Sequence, residues 1–282
     1  MGPASSVGLG LVAASTWGGS DFAGGIGARR SPALLVVASG HILTLLVLLA
    51  VCLLGHFPIP GTQNLLLGAI GGLEGSLALA LFYRALAMGA MGLTAALTGL
   101  LTALIPVLFA FWSEGLPKPL AVAGILVGCI AIWFIAYAPM HADTPPMALV
   151  MGAISGAGFG IQLVLLKIAS NGGVIWALTS SRIGGVLGLI LVLFFVWPKD
   201  LGSGNWSGVW RMGILAGALD TIGNLGYTVA AHGGRLDVAA TVSSLYPGIT
   251  ILLAALLLHE RPSRRQSLGM ALALASVLLL SL

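Results

Sequence analysis

Residues 33–55 read ALLVVASGHILTLLVLLAVCLLG, with His41 as the only residue that can become positively charged near neutral pH. The stretch is as long as the roughly 20 apolar residues that a helix needs to cross a bilayer. Similar stretches recur along the 282 residues, of which 58% are hydrophobic and 7% charged, whereas a soluble domain carries roughly 25% charged residues. The sequence therefore predicts an all-α integral membrane protein.

Gly, Pro, Asn and charged residues divide the chain into ten predicted spans. Their approximate bounds are 4–27, 31–55, 64–88, 93–113, 119–138, 146–170, 174–197, 208–232, 236–258 and 266–282. The polar segment 139–145 links two halves of five spans each, residues 1–138 and 146–282. Cys52 and Cys129 lie inside apolar stretches, and we interpret them as small buried side chains rather than a disulfide or a metal site.

The two halves share a weak internal repeat. Trp17-Gly18 matches Phe159-Gly160, His41 falls opposite Arg182, YRALAMG at 83–89 matches YTVAAHG at 227–233, and Glu114 matches Glu260. Because five is an odd number, the second half must enter the membrane from the opposite side. The repeat therefore predicts two inverted five-helix repeats, an arrangement that recurs in secondary transporters around a site at the bilayer midplane.

We interpret the net charge of +4 as a signal of how the protein is oriented in the membrane, and not as a sign of nucleic-acid binding. Basic residues lie in short connections between apolar stretches, without the basic and aromatic surface that a nucleic acid would need. Most of them lie at or near odd-numbered connections: Arg29, Arg30, Arg84, Lys199, Arg211, Arg261, Arg264 and Arg265, against Lys118, Lys167 and Arg235 near even ones. This bias predicts cytoplasmic odd connections and both termini outside.

The end of the chain carries a recognisable pattern of small residues, proline, an apolar stretch and glutamate. It consists of AATVSSLYP at 239–247, apolar residues 252–258, Glu260, Gln266 and Gly269. This pattern resembles the EamA module of the drug/metabolite transporter superfamily, and the first half follows the same layout more loosely. The first half departs from it at Pro106, five residues later than the glutamate spacing predicts, and at His41, where the family often has the arginine that Arg182 keeps.

The resemblance implies a secondary transporter that exports amino acids, aromatic or other neutral ones, from the cytoplasm by alternating access. It further implies a multi-pass protein of the bacterial inner membrane, monomeric or homodimeric, with membrane lipid and a small-molecule substrate as partners. No cofactor, metal or nucleic acid is expected. Sugars, nucleotides and cationic drugs are alternative substrates. A membrane enzyme is disfavoured because no H-E-x-x-H or G-x-S-x-G motif occurs, and a channel because the repeat with kinked spans fits a carrier better.

Three charged residues fall near the middle of predicted spans. Each of Glu74, Arg182 and Asp220 would cost about 2.5–3.5 kcal/mol if it were unpaired at the bilayer centre. Two interpretations stay open for Glu74 and Asp220: a proton relay or substrate contact, and a buried network that joins helices. For Arg182 we favour the structural role, and for His41 a core histidine over a group that titrates near neutral pH.

Prolines and aromatic residues supply the remaining candidates. Pro106 and Pro247 cannot donate a backbone hydrogen bond, so they free the carbonyls of Thr102 and Ser243 and predict a site between the fourth and ninth spans. We interpret both prolines, with Gly18 and Gly19, as hinges. The predicted substrate-binding residues are Trp17, Ser20, Tyr83, Thr98, Phe159, Tyr227, Ser243, Ser244 and Tyr246.

Overall fold

The computed structural model describes residues 2–28, 31–87, 91–136, 146–195, 206–259 and 262–282. Its helices are α1 (Pro3–Ala28), α2 (Ala33–Leu54), α3 (Thr62–Ala87), α4 (Met91–Ser113), α5 (Pro119–Ala136), α6 (Pro146–Ala169), α7 (Val174–Phe195), α8 (Trp206–Gly233), α9 (Leu236–Ser243), α10 (Tyr246–Leu257) and α11 (Arg264–Ser281). No strand occurs in these ranges. The all-α membrane fold predicted from the sequence is confirmed.

The helices follow the predicted spans closely, with one difference. The ninth span consists of two helices, α9 and α10, which are interrupted at Ser244 and Leu245. Pro247 has no N–H to continue the hydrogen bonding of α9, and it is well tolerated in the first turn of α10. Several predicted features lie outside the described residues: the linker 139–145, Arg29, Arg30, residues 88–90 between the third and fourth spans, Lys199, Glu260 and Arg261.

Five segments are long and apolar enough to cross a membrane by length and composition: Ala33–Leu54, Thr62–Ala85, Pro146–Gly172, Val174–Phe195 and Leu236–Leu257. Shorter apolar segments lie in α4 and α5. Helices α1 and α8 do not reach the same hydropathy, since they carry Ser20, Asp21, Asp220 and Asn224 in their interiors. These polar residues lie on the inner surfaces described below, which explains why two central helices are less apolar.

The main contacts between a helix of the first half and a helix of the second half have equivalent contacts with the roles of the two halves reversed. Helix α1 packs on α8 and on α9 and α10, while its counterpart α6 packs on α3 and α4. Likewise α2 packs on α8, and its counterpart α7 packs on α3. The pairs α2–α7, α4–α9 and α5–α11 join equivalent helices of the two halves. Two equivalent halves related by a two-fold axis would give this pairing; that the axis lies in the membrane plane stays a prediction.

Small residues allow these helices to approach closely, as is common between membrane helices. A Cβ atom on Gly217 of α8 would collide with the backbone of Gly40 in α2. On the equivalent contact, a Cβ atom on Gly72 of α3 would collide with the carbonyl of Ser181 in α7. The backbones of α2 and α8, and of α3 and α7, are therefore in direct contact, which brings α2, α3, α7 and α8 together around the centre.

The ends of the helices lie on two faces of the bundle. The even face holds the C-terminal ends of α2, α4, α6 and α8, and the odd face holds those of α1, α3, α5, α7 and α10. On the even face, the indole N–H of Trp176 at the start of α7 donates to the carbonyl of Phe57 after α2 (3.2 Å). On the odd face, a Cβ atom on Gly27 of α1 would lie 3.1 Å from Cβ of Met212 in α8.

Candidate functional site

A central cavity lies between the two halves at mid-depth. It has about 660 Å³ of empty space, counting the part that is open to solvent. Residues from α1, α2, α3, α4, α6, α7, α8 and α10 line it, so both halves contribute. The predicted residues in its wall are Trp17, His41, Phe159, Arg182, Asp220 and Tyr246.

An ion pair between α7 and α8 forms the charged part of the wall. The guanidinium Nη2 of Arg182 donates to Oδ2 of Asp220 and to Oγ1 of Thr221 (2.9 Å to Thr221). The amide of Asn224 also donates to Oδ2 of Asp220 (3.0 Å) and to the backbone carbonyl of Asp220 (2.9 Å). The pair is half-buried on the Asp220 side, where the side chain is 26% exposed, and nearly buried on the Arg182 side, at 8%. The pairing offsets the cost of placing both charges at bilayer depth.

The internal repeat places different residues at the equivalent position of the first half. His41 matches Arg182, and the register that aligns Tyr83 with Tyr227 sets Ser76 of α3 against Asp220 of α8. Both His41 and Ser76 line the central cavity. The ion pair therefore has a histidine and a serine as its counterpart, and the two halves of the cavity differ in charge.

Asp21 is a wall residue that the sequence reasoning did not single out. It lies on α1 one turn after Trp17, lines the central cavity and interacts electrostatically with Asp220. No hydrogen bond or ion pair holds its carboxylate within the described part of the chain. Its position one turn beyond Trp17 is the signal that would have indicated it, because residues three to four apart share a helix face.

Aromatic rings form the apolar part of the wall. The rings of Trp17 and Tyr246 meet edge to face, with centroids 6.3 Å apart and an interplanar angle of 89°. Phe159 of α6 lines the cavity as well and packs edge to face on Phe82 (6.1 Å). Tyr227 stacks behind Trp17 at 5.8 Å, is fully buried, and donates its hydroxyl to the carbonyl of Leu163 (3.0 Å). Tyr227 therefore supports the wall from behind.

A smaller second cavity adjoins the central one on the odd face. It shares His41, Leu79 and Asp220 with the central cavity. Its other lining residues include Ser20 and Tyr83, which lie nearer to the odd-face ends of their helices. The predicted pair of Tyr83 and Tyr227 is thus divided, with Tyr83 in this cavity wall and Tyr227 in neither wall.

Four other candidates lie outside both cavity walls. Thr98 is fully buried and donates to the carbonyl of Gly152 (2.9 Å), so it joins α4 to α6. The hydroxyls of Ser243 and Ser244 are fully buried at the end of α9, with no hydrogen-bond partner among the described residues. Glu74 faces α6 instead of the cavities, since a Cβ atom on Gly158 would lie 2.7 Å from its Oε1.

The glycines and prolines proposed as hinges differ in their surroundings. Helix α1 is continuous through Gly18 and Gly19. A Cβ atom on Gly18 would lie 2.6 Å from Cβ of Ile249, so this glycine allows α1 to approach α10 closely. Pro106 lies inside the continuous helix α4, whereas Pro247 follows the break between α9 and α10.

Polar contacts join helix ends on the even face. Glu114 at the end of α4 accepts a hydrogen bond from the backbone N–H of Leu236 (3.1 Å), where the helix dipole of α9 favours a negative charge. Arg235 donates to the carbonyl of Gly115 (2.7 Å) and pairs with Asp237 (2.8 Å). Lys167 of α6 donates to the carbonyl of Ala231 in α8. We call these contacts the even-face network. Two of them, Glu114 with Leu236 and Arg235 with Gly115, join the first half to the second.

Comparison with known proteins bears on both halves. Residues 146–282 match the EamA-like transporter family. A solved structure, described only as the crystal structure of a protein, has the same fold, with a TM-score of 0.78 over 99% of each chain at 19% identity. None of the curated proteins matches the sequence significantly. The family match covers residues 146–282, the second of the two predicted halves, and the family it names is one of transporters.

Proposed function

We propose that this protein is a carrier that exports amino acids, aromatic or other neutral ones, by alternating access. The observation that supports the proposal is the central cavity, because it lies at mid-depth and takes its wall from both halves. Carriers of the inverted-repeat kind hold their substrate at such a place, and the halves then move around it.

The chemistry of the wall suits an amino acid. Arg182 bonds to Asp220 and Thr221 through Nη2 alone, which leaves Nη1 and Nε without a partner among the described residues. Those groups can bind a carboxylate, and the carboxylates of the wall can bind an ammonium group. Trp17, Phe159 and Tyr246 can contact an apolar side chain. Sugars lack the two charges, and the phosphates of a nucleotide would meet the carboxylates of Asp21 and Asp220.

The two faces of the bundle support the direction of transport. The second cavity extends from the central one toward the odd face, whereas polar contacts join the two halves on the even face. The bias of Lys and Arg predicts that the odd face is cytoplasmic. In this arrangement a cytoplasmic solute enters first, as export requires. We place the carrier, as a monomer or a homodimer, in a bacterial inner membrane.

Counterflow in proteoliposomes tests the function. Vesicles loaded with unlabelled phenylalanine, tyrosine, leucine or alanine are diluted into the radiolabelled amino acid, with a sugar and a nucleotide panel run in parallel. A carrier for amino acids gives a saturable, transient accumulation of label that needs the internal amino acid. Uptake of sugars or nucleotides with no amino acid counterflow would contradict the substrate class, and flux that never saturates would contradict a carrier.

A further inference from the structure

The central cavity contains more carboxylates than cations. Its wall holds Asp21 and Asp220 against the single guanidinium of Arg182 among the described residues. Asp220 is already engaged by Arg182 and by the amide of Asn224. Asp21 has neither an ion-pair nor a hydrogen-bond partner there. The carboxylate of Asp21 is thus the group in the wall that remains open to a cation.

Aromatic residues lie near this carboxylate. Trp17 precedes Asp21 by one turn on the same helix and meets Tyr246 edge to face. Tyr83 also lies close to this part of α1, because a Cβ atom on Gly24, three residues after Asp21, would collide with the tyrosine hydroxyl. Tyr83 and Tyr246 both lie within electrostatic range of Asp21. A carboxylate beside aromatic faces is the combination that binds ammonium groups, through a charge-assisted hydrogen bond and cation–π attraction.

Other carboxylates are less suited to this role. Glu74 lines neither cavity and faces Gly158 of α6. Glu114 and Asp237 belong to the even-face network, where each has a bonding partner. Moving Asp220 to a ligand would leave Arg182 without its counter-ion at bilayer depth, which is costly.

We propose that Asp21 is the residue that selects the transported solute by binding its ammonium group, with Trp17 and Tyr246 against the adjoining apolar part. The inference rests on the proposed function, since it takes the bound solute to be the one that is transported. It adds the chemical class of that solute, which has a protonated amine beside an apolar or aromatic body. An amine without a carboxylate, such as phenethylamine, then binds as well. An acid without an amine, such as 3-phenylpropionate, lacks the group that Asp21 selects and binds more weakly than the amine.

A matched pair of ligands tests this inference. Phenethylamine and 2-phenylethanol have the same body and differ in the ammonium group. Binding of each to the purified full-length protein is measured by the change in tryptophan fluorescence, since Trp17 lies in the wall. We expect the wild-type protein to prefer the amine by about tenfold or more, the loss that one charge-assisted hydrogen bond represents.

Asp21→Asn keeps the shape of the side chain and removes its charge, so it should abolish the preference for the amine. Asp21→Glu keeps the charge and should retain the preference. Thermal melting and size-exclusion profiles of both variants show whether they fold. An Asp21→Asn protein that folds and still prefers phenethylamine overturns the inference.

The outcomes for Asp21 and for transport can be told apart. If amines bind in an Asp21-dependent way but no amino acid shows counterflow, the inference holds and the proposed function fails. If amino acids show counterflow and Asp21→Asn changes only the response to a pH gradient, Asp21 carries a proton and the inference fails.

Discussion

At the scale of single residues, pairing explains how the charges of Arg182 and Asp220 are tolerated in the interior. Arg182 and Asp220 form the ion pair between α7 and α8, and Thr221 and Asn224 complete their hydrogen bonds. Removing one partner leaves the other charge alone at bilayer depth, whereas removing both leaves no charge to solvate. The stability of the single and double variants therefore distinguishes a structural pair from two independent groups.

We predict that Arg182→Leu and Asp220→Leu each lower the free energy of unfolding by about 3–5 kcal/mol, the range for breaking a buried pair. The double variant should recover most of this loss. The measurement is denaturant unfolding in detergent micelles, arranged as a double-mutant cycle. Losses that simply add in the double variant would show that the two side chains do not stabilise each other.

A second prediction at this scale concerns glycines on α7. A Cβ atom on Gly184 would collide with the carbonyl of Ala69 in α3, whereas a Cβ atom on Gly188, one turn later, would lie at least 3.3 Å from Leu73. We predict that Gly184→Ala destabilises the protein by about 1–3 kcal/mol, as overpacking does. Gly188→Ala is the matched control and should melt within a few degrees of the wild-type protein. Equal melting temperatures for the two variants would contradict the close approach of α3 and α7.

At the scale of elements, the interruption between α9 and α10 distinguishes the two prolines. Pro247 follows the interruption as the second residue of α10, whose first residue, Tyr246, is in the cavity wall. Pro106 lies in α4, which stays continuous from Met91 to Ser113. The same residue type thus marks a break in one half and a tolerated residue within a helix in the other.

We predict that Pro247→Ala lowers transport severalfold or more while the protein stays folded. The alanine supplies the missing N–H, which allows α9 to continue into α10 and turns Tyr246 away from the cavity. Pro106→Ala is the control and should change transport little. The measurement is the initial rate of counterflow at matched protein content, and a larger effect of Pro106→Ala would move the functional break to α4.

At the scale of the whole molecule, two halves meet around one cavity and the even-face network holds them together on one side. Glu114 contributes by accepting the backbone N–H of Leu236 at the start of α9. We predict that Glu114→Ala weakens this closure and exposes the cavity to the even face. Ser113→Ala is the control, since the Ser113 hydroxyl donates to Phe109 within α4.

Cysteine labelling measures this exposure. Cys52 and Cys129 are first replaced by alanine, and Leu163→Cys is introduced in the cavity wall, where Leu163 is 3% exposed. A membrane-impermeant maleimide applied from the even face should label this cysteine faster when Glu114→Ala is present. Unchanged labelling would show that Glu114 does not hold the even face closed.

The sequence by itself determined that most of this protein is surrounded by lipid, and it determined where its helices lie along the chain. Apolar stretches of spanning length can satisfy their backbone groups in lipid only as helices, so composition and length suffice. The weak repeat in the sequence also predicted that the two halves pair. Six of the residues predicted to form the site, among them Trp17, Arg182 and Tyr246, line the central cavity.

Only the tertiary structure decided which polar residues face that cavity. The direction of a side chain depends on which neighbour its helix packs against, and one sequence does not give that information. Thus Tyr227, Thr98 and the serines of α9 lie outside the cavity walls, while Asp21 faces the cavity without a partner. The close contact of α1 with α8 and α10, through glycines at several points, sets this orientation of Asp21.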